Sequence, residues 1–458
     1  MSTDNALEVS ASAVDQLKRY SEVKDPFDYD PAAIDHLQLQ AIKERFHQCM
    51  ELIPIVGKQA KDQGIEDINS LHDLVPLLFS HEVYKSYPET FVRNNQWAMM
   101  NRWLDTLSSG SVGSIDVSDV DSSESWVERL AENGHHVIVS GGTSGKNSFL
   151  NRTSDDFQRA GQSIVQNVAL TQRIEAGKRD RPVIMISPSQ GAYVFVSLMH
   201  SLADAFGRAD ATYWLDETQE AQQLNDRITA LRAKVANGTA SPGELTELDA
   251  ASKTKQEEMQ KSVSSLVDAL IKHKDEPVLV VGMWYPHYVL VEEARRRGLE
   301  DGFLHPESII FTGGGTKGAR MPDDYKEQIA KFYGVDTSRY YGVYGMVEML
   351  TGMIECSAKK YHCQPWVKIL ILDKPGENLM PVENGRVEGR MAFFDIAVDG
   401  RWGGIITGDK VTVDYNPCSC GRKSPQVSNI MRYSDLPDGD DKLSCAGSMS
   451  SYIRGELS

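Results

Sequence analysis

Ser140-Gly-Gly-Thr-Ser-Gly-Lys-Asn-Ser148 follows directly on the apolar run Val137-Ile-Val139. The run reads as a short strand and the stretch after it as a glycine-rich loop. Small residues let the backbone wrap an oligoanion, and hydroxyl and N–H groups can then hydrogen-bond phosphate oxygens. The loop is not a Walker A motif, which needs glycine where Ser140 stands and Ser or Thr where Asn147 stands. Taken alone, it also reads as a plain turn.

Outward from the loop, strand and helix signals alternate. Downstream, a helix is predicted from Ser154 or Asp155, with Asp155 and Asp156 favourable in its first turn. Residues 181–187 read as a buried strand and 192–206 as a helix. Upstream, Leu37, Leu39, Ile42, Phe46, Met50 and Ile53 recur at helical spacing within 34–61. Further helices are expected over 67–78 and 84–100. Residues 1–30 are polar and acidic and read as an arm. Later, 278–281 and 308–312 are apolar runs, 288–297 and 323–333 read as helices, and 367–372, 390–394 and 410–414 as strands. This alternation predicts an α/β fold.

Residues 215–273 differ. Leu224, Ile228, Leu231 and Val235 make one helical stripe, broken at Asn237-Gly238. Ser241-Pro-Gly-Glu244 restarts a helix with a capping box and proline at its first position. The segment reads as an inserted helical hairpin, either a lid or docking arm or a peripheral structural insertion.

Three further stretches carry chemistry. Phe311-Thr-Gly-Gly-Gly-Thr-Lys317 follows a strand, and its glycines admit a flat ring or a backbone close by. In Tyr340-Tyr-Gly-Val-Tyr-Gly-Met-Val-Glu348 an aromatic can stack a base and Glu348 can hold Mg²⁺, a hard cation that prefers carboxylate oxygens. In Ile406-Thr-Gly-Asp409 the aspartate can accept from ribose hydroxyls. Cys356 and His362 follow the Tyr344 motif, and Cys418 and Cys420 follow the Asp409 motif. If the two segments meet, they offer a Cys₃His set suited to structural Zn²⁺, with Cys363 as a substitute for either neighbour. Incidental buried thiols are the other reading.

In their order and spacing these motifs resemble the adenylate-forming superfamily of acyl-CoA synthetases, firefly luciferase and peptide-synthetase adenylation domains. The phenylacetate–CoA ligase branch is the most similar, with Ile53-Pro54, 64–74, Tyr84-Lys85, Tyr87-Pro88 and Cys418-Ser-Cys-Gly-Arg422 adding to the likeness. The resemblance spans roughly 35 to 435 outside the insertion. It implies an adenylate-forming large domain over 31–432, with the hairpin inserted and a short tail over 433–458. It implies that ATP activates a carboxylic acid, aromatic by analogy, to an acyl-adenylate, with transfer to a thiol next. Thr143 and Ser144 would touch the phosphates, in a loop whose Ser140, Gly142 and Gly145 cradle them. Gly313, Gly314, Gly315 and Tyr344 would hold adenine, and Asp409 with Arg432 the ribose. Glu348 would ligate Mg²⁺, and Trp284, Tyr285 and His287 would lie near the acid. The acceptor would be CoA, a carrier protein or a protein cysteine.

Two departures matter. Val347 stands where the family has threonine, and only 26 residues follow Arg432, where the family has a C-terminal domain on the order of 100 residues. Gly439-Asp-Asp-Lys442 and Gly447 resemble the hinge to that domain. The acyl-protein synthetase of bacterial bioluminescence is a relative with the same shortening and a cysteine acyl acceptor near its end. By that likeness Cys445 is a self-acylation candidate. A degenerate, non-catalytic nucleotide or acid binder is the competing class. His135, His136, His200 and His305 read as structural or surface residues.

The formal charge of −17, from 48 basic and 65 acidic residues, disfavours nucleic acid as a partner. The polar start and the lack of a long apolar run predict a cytoplasmic chain without a membrane span. Six cysteines in 458 residues fit a reducing compartment better than a disulfide framework. A homodimer is compatible with all of this.

Overall fold

The computed structural model describes residues 11–140, 146–190, 194–215, 238–314 and 321–437, with isolated positions between 224 and 235 and Asp441. Of the expected site residues, Gly142, Thr143, Ser144, Gly145, Gly315 and Cys445 lie outside these.

The opening segment is packed where it is described. Helix Ala13–Lys18 is capped by the Ser12 side chain and buries Ala13, Val14 and Leu17. Phe27 and Tyr29 are buried too. Average polarity predicts an arm here, but these few apolar residues share one face, which composition does not report.

Asp30 caps the helix Pro31–Leu52, and Pro31 starts it. Pro54 ends it. A residue before proline avoids the helical region, and Ile53 is extended at φ −112°, ψ 104°. A second helix, Pro54–Gln63, follows, so the single helical stretch expected over 34–61 is two helices. A Cβ on Gly57 would lie 2.6 Å from the Met50 carbonyl oxygen, so glycine permits the close turn between them.

The chain divides into two compact units. The first holds the residues up to Asn167, 192–194 and those from Val343 on. Its strands Val367–Leu372, Arg386–Asp395, Gly404–Asp414 and Gln426–Arg432 pair antiparallel in that order. Tyr361–His362 and Met353–Glu355 continue the sheet, and Tyr344 pairs with Met353. Phe79–Ser80 joins the 404–414 strand in parallel at Ile405 and Ile406. The 404–414 strand thus has the Asp409 motif at its middle, with Arg432 directly across from Asp409.

The second unit holds Val168–Gly191 and Phe195–Gly342. Strands Ile309–Gly313, Leu279–Val281, Arg181–Met185 and Gly207–Trp214 lie side by side, all parallel. The first three are buried along almost their whole length, as a sheet covered on both faces requires. Helices Pro242–Lys272, Trp284–Arg296 and Tyr325–Tyr333 supply Leu266, Leu290 and Phe332 to the core around Ile184, Val280 and Ile310. The Ser241–Glu244 capping box forms as expected. Ile228 and Leu231 are buried, and Arg227 pairs with Glu247 across to the long helix. No helix among the described residues is long and apolar enough to cross a membrane.

Candidate functional site

The turn after strand Tyr340–Tyr344 carries Glu348, and its backbone is gripped from several sides. Arg152 donates to the carbonyls of Val347 (3.2 Å) and Met349 (2.8 Å). Arg401 donates to the carbonyl of Glu348 at 2.6 Å, and the Asp395 carboxylate accepts from Leu350 N at 2.7 Å. All three charged side chains are buried. Burial pushes the Arg152 guanidinium down to about 10, with Arg401 adding repulsion. Burial also raises the Glu348 carboxyl above its usual range, while Arg401, His81 and Lys85 pull it back. The turn therefore holds one buried carboxylate in a fixed place beside several cations.

Asp409 lies on the 404–414 strand. Its carboxylate accepts from the Tyr344 hydroxyl at 2.7 Å, and Arg432 Nε is 3.9 Å away. Thr407 Oγ1 donates to Met391 O and accepts from Asp409 N, fixing the turn between them. Burial raises the Asp409 carboxyl, against the Tyr344 hydrogen bond and the Arg432 charge. The structure thus brings Tyr344, Asp409 and Arg432 together, and Glu348 follows Tyr344 by four residues.

Of the glycine-rich loop, the two ends are described. Ser140 N donates to Ser148 O at 3.1 Å, and Ser148 N to Ser140 Oγ at 2.9 Å, so the strands pinch beneath it. Lys146 is held by the Tyr87 carbonyl and lies over the Tyr87 ring. Tyr87 in turn donates to Asn147 O at 2.9 Å.

In the second unit, Gly313 ends its strand and Gly314 has φ +67°. A Cβ there would meet Met283 Sδ at 2.8 Å, so this turn requires glycine. Trp284 packs edge-on to Tyr325, and Tyr285 is exposed. His287 is a correction to the expected acid-binding set. It is fully buried, its Nε2 donates to Phe311 O and its Nδ1 accepts from the Tyr333 hydroxyl, both at 2.8 Å. Burial lowers it to about 4, so it is a neutral, satisfied core residue with no lone pair left for substrate.

Cys356, His362, Cys418 and Cys420 do converge, with ligand atoms all within 4.8 Å of one another. Cys356 and Cys418 sulfurs are 3.9 Å apart, and Cys420 Sγ is 3.3 Å from His362 Nε2. A tetrahedral Zn²⁺ with Zn–S near 2.3 Å separates two sulfurs by about 3.8 Å. His362 Nδ1 meets Ser424 Oγ at 2.8 Å, which fixes the ring and leaves Nε2 facing the sulfurs. Cys363 is not a substitute: its thiol donates to the carbonyls of Gln364 and Val367.

Arg152, Arg401 and Asp395 were not legible as site residues. Arg152 and Arg401 stand outside the named strands and helices, where no periodicity marks them, and the turn groups they hold are far away in sequence.

Residues 216–453 match the family model described as acyl-protein synthetase, LuxE. That is just over half of the chain. Among solved structures, a 2-hydroxyisobutyryl-CoA ligase, captured in the postadenylation state with 2-HIB-AMP, is similar at a TM-score of 0.52 and 15 % identity. The alignment covers 87 % of this chain and 67 % of that one, and it shows the adenylate-forming fold. No curated protein matches the sequence significantly. The chain belongs to the acyl-protein synthetase (LuxE) family.

Proposed function

We propose that this chain uses ATP to activate a small carboxylic acid, aromatic by analogy, as an acyl-adenylate and passes the acyl group to a thiol. A carboxylate oxygen attacks the α-phosphorus and pyrophosphate leaves. A thiolate sulfur then attacks the acyl carbon and AMP leaves. No protein nucleophile is needed in the first step, only positioning and charge neutralisation. The observation that carries the reading is the Tyr344–Asp409–Arg432 group beside the clamped turn of Glu348, in a chain of this family.

In this reading Asp409 accepts from the ribose hydroxyls, with Arg432 holding its charge, and Tyr344 lies against the base. Glu348 offers the hard oxygen that suits Mg²⁺, which would neutralise phosphate charge. Ser140, Gly142, Thr143, Ser144 and Gly145 cradle the phosphates. Gly313, Gly314 and Gly315, with Trp284 and Tyr285, keep the roles the resemblance gives them. The acceptor is CoA, a carrier protein or Cys445. The family match runs through residue 453 and so takes in Cys445, which favours self-acylation among these.

Incubation with Mg-ATP, hydroxylamine and a panel of acids tests the reaction type. Acyl hydroxamate appearing together with AMP is expected. ADP as the nucleotide product would contradict it.

We further propose structural Zn²⁺ on Cys356, His362, Cys418 and Cys420, supported by the fit of their spacing to a tetrahedral centre. Elemental analysis of gently purified protein should give close to one equivalent. Less than about 0.3 equivalent would oppose a tight site.

A further inference from the structure

Outside the nucleotide motifs and the Cys₃His cluster, the second unit holds a chain of titratable side chains in mutual contact. It starts on Gly207–Trp214, the edge strand of the parallel sheet, where Tyr213 stands beside Ile184. The Tyr213 hydroxyl lies 2.9 Å from His273 Nε2 and accepts from Lys272 Nζ at 3.0 Å. Lys272 ends the long helix Pro242–Lys272, and His273 caps it, with its N–H on Ala269 O and Leu270 O. Glu276 N donates to His273 O, and the same turn brings Glu276 Oε1 to 2.7 Å from His273 Nδ1. Arg208 donates to both Glu276 oxygens, at 3.0 and 3.2 Å. These contacts say where the protons lie. Arg208 and His273 hold the Glu276 carboxyl down at about 2, so it only accepts. His273 Nδ1 therefore carries a hydrogen, and a neutral imidazole then has its lone pair on Nε2. Lys272 has donors only, so the Tyr213 oxygen accepts from it and directs its own O–H to Nε2. Moving that one proton leaves a phenolate between an imidazolium and an ammonium. His273 is 5 % exposed, whereas Tyr213 is half-buried and Lys272 exposed, so the base is shielded while the side chain it serves reaches the surface. Hydroxyl, imidazole and carboxylate stand in the order that activates an oxygen nucleophile.

We propose that Tyr213 is a nucleophilic tyrosine, acylated on its oxygen by an acyl-adenylate. The acyl source rests on the proposed function; the nucleophile does not. The Tyr213 oxygen attacks the acyl carbon, His273 Nε2 takes the phenol proton, and the bond from that carbon to the phosphate oxygen breaks. The products are a tyrosyl ester and AMP. Lys272 stabilises the negative charge that builds on the phenol oxygen before the new bond forms. Glu276, held by Arg208, keeps the imidazole in the tautomer that accepts the proton.

The test bypasses adenylation by giving the purified full chain preformed benzoyl-adenylate without ATP. Peptide mass spectrometry reads the rate of adduct formation at Tyr213 in the wild type, His273→Gln and Lys272→Met, with Tyr213→Phe as the blank and N-acetyltyrosinamide at the same pH as the reference. The expected result is a benzoyl adduct on Tyr213 formed about 100-fold faster than on the reference, and a rate near the reference in His273→Gln, as loss of a general base predicts. Lys272 is exposed, so Lys272→Met leaves the packing intact; it is expected to slow the adduct at least about 10-fold, the equivalent of one charged hydrogen bond. A wild-type rate equal to the reference, or a rate unchanged in both variants, would overturn the proposal. An adenylyl adduct on Tyr213 in place of the benzoyl one would overturn it too. A second arm supplies Mg-ATP and the acid panel instead. Labelling by benzoyl-adenylate with none in that arm would support Tyr213 as the nucleophile and count against the adenylation reading alone.

Discussion

Tyr344 and Asp409 form the most direct polar contact between two motifs that lie 65 residues apart. A hydrogen bond to a charged group contributes roughly 1.5–3 kcal/mol. Tyr344→Phe removes the hydroxyl and keeps the ring. It is expected to raise KM for ATP several-fold with a smaller change in kcat, as loss of ground-state binding does, and steady-state kinetics read that split. His287 gives a residue-scale prediction of another kind. Its folded value near 4 lies below the ordinary 6.5, so the folded chain binds fewer protons between those values. Its contribution is complete above about pH 6.5 and is lost as pH falls towards 4, amounting to roughly 3 kcal/mol. Denaturant midpoints measured from pH 7 to 4.5 should fall less steeply in His287→Gln than in wild type. Equal slopes would contradict the assignment.

At the scale of elements, the turn from Val347 to Leu350 owes its shape to Arg152, Arg401 and Asp395. Truncating one of these arginines strands buried carbonyls and leaves buried carboxylates short of a partner. Arg152→Met is expected to lower stability by about 3 kcal/mol, read by chemical denaturation. The same elements show how far local sequence carries. Strands such as Leu279–Val281 are uninterrupted apolar runs and are readable directly. Gly207–Trp214 was not, because Arg208, Ala209 and Asp210 interrupt it and lie half-exposed or exposed. The helix break at Ile53-Pro54 was hidden by a hydrophobic stripe that continues across it. Tyr344, Glu348 and Asp409 could be singled out from the sequence because each sits in a short motif. The arginine clamp could not, since its members act on backbone groups and share no spacing. His287 misled because an aromatic-rich segment looks the same whether it lines a pocket or fills a core.

For the whole molecule, the Cys₃His cluster joins the segment after Tyr344 to the one after Asp409, within one compact unit. Zinc bound by the folded chain alone would stabilise that unit by mass action. Prolonged chelation is therefore expected to lower its melting temperature by several degrees, with recovery on adding Zn²⁺; an unchanged Tm would argue for a bare thiol cluster. In the proposed function the acidic chain would meet ATP with local cations, Arg432 near Asp409 and Arg401 and Lys85 near Glu348. The central claim is that this site makes an acyl-adenylate. ATP–pyrophosphate exchange on the purified chain, with aromatic and aliphatic acids and no CoA, tests it most directly. The account predicts acid-dependent exchange that falls at least about 100-fold in Glu348→Ala and in Asp409→Ala. Absence of exchange with every acid, while calorimetry detects ATP binding, would contradict it.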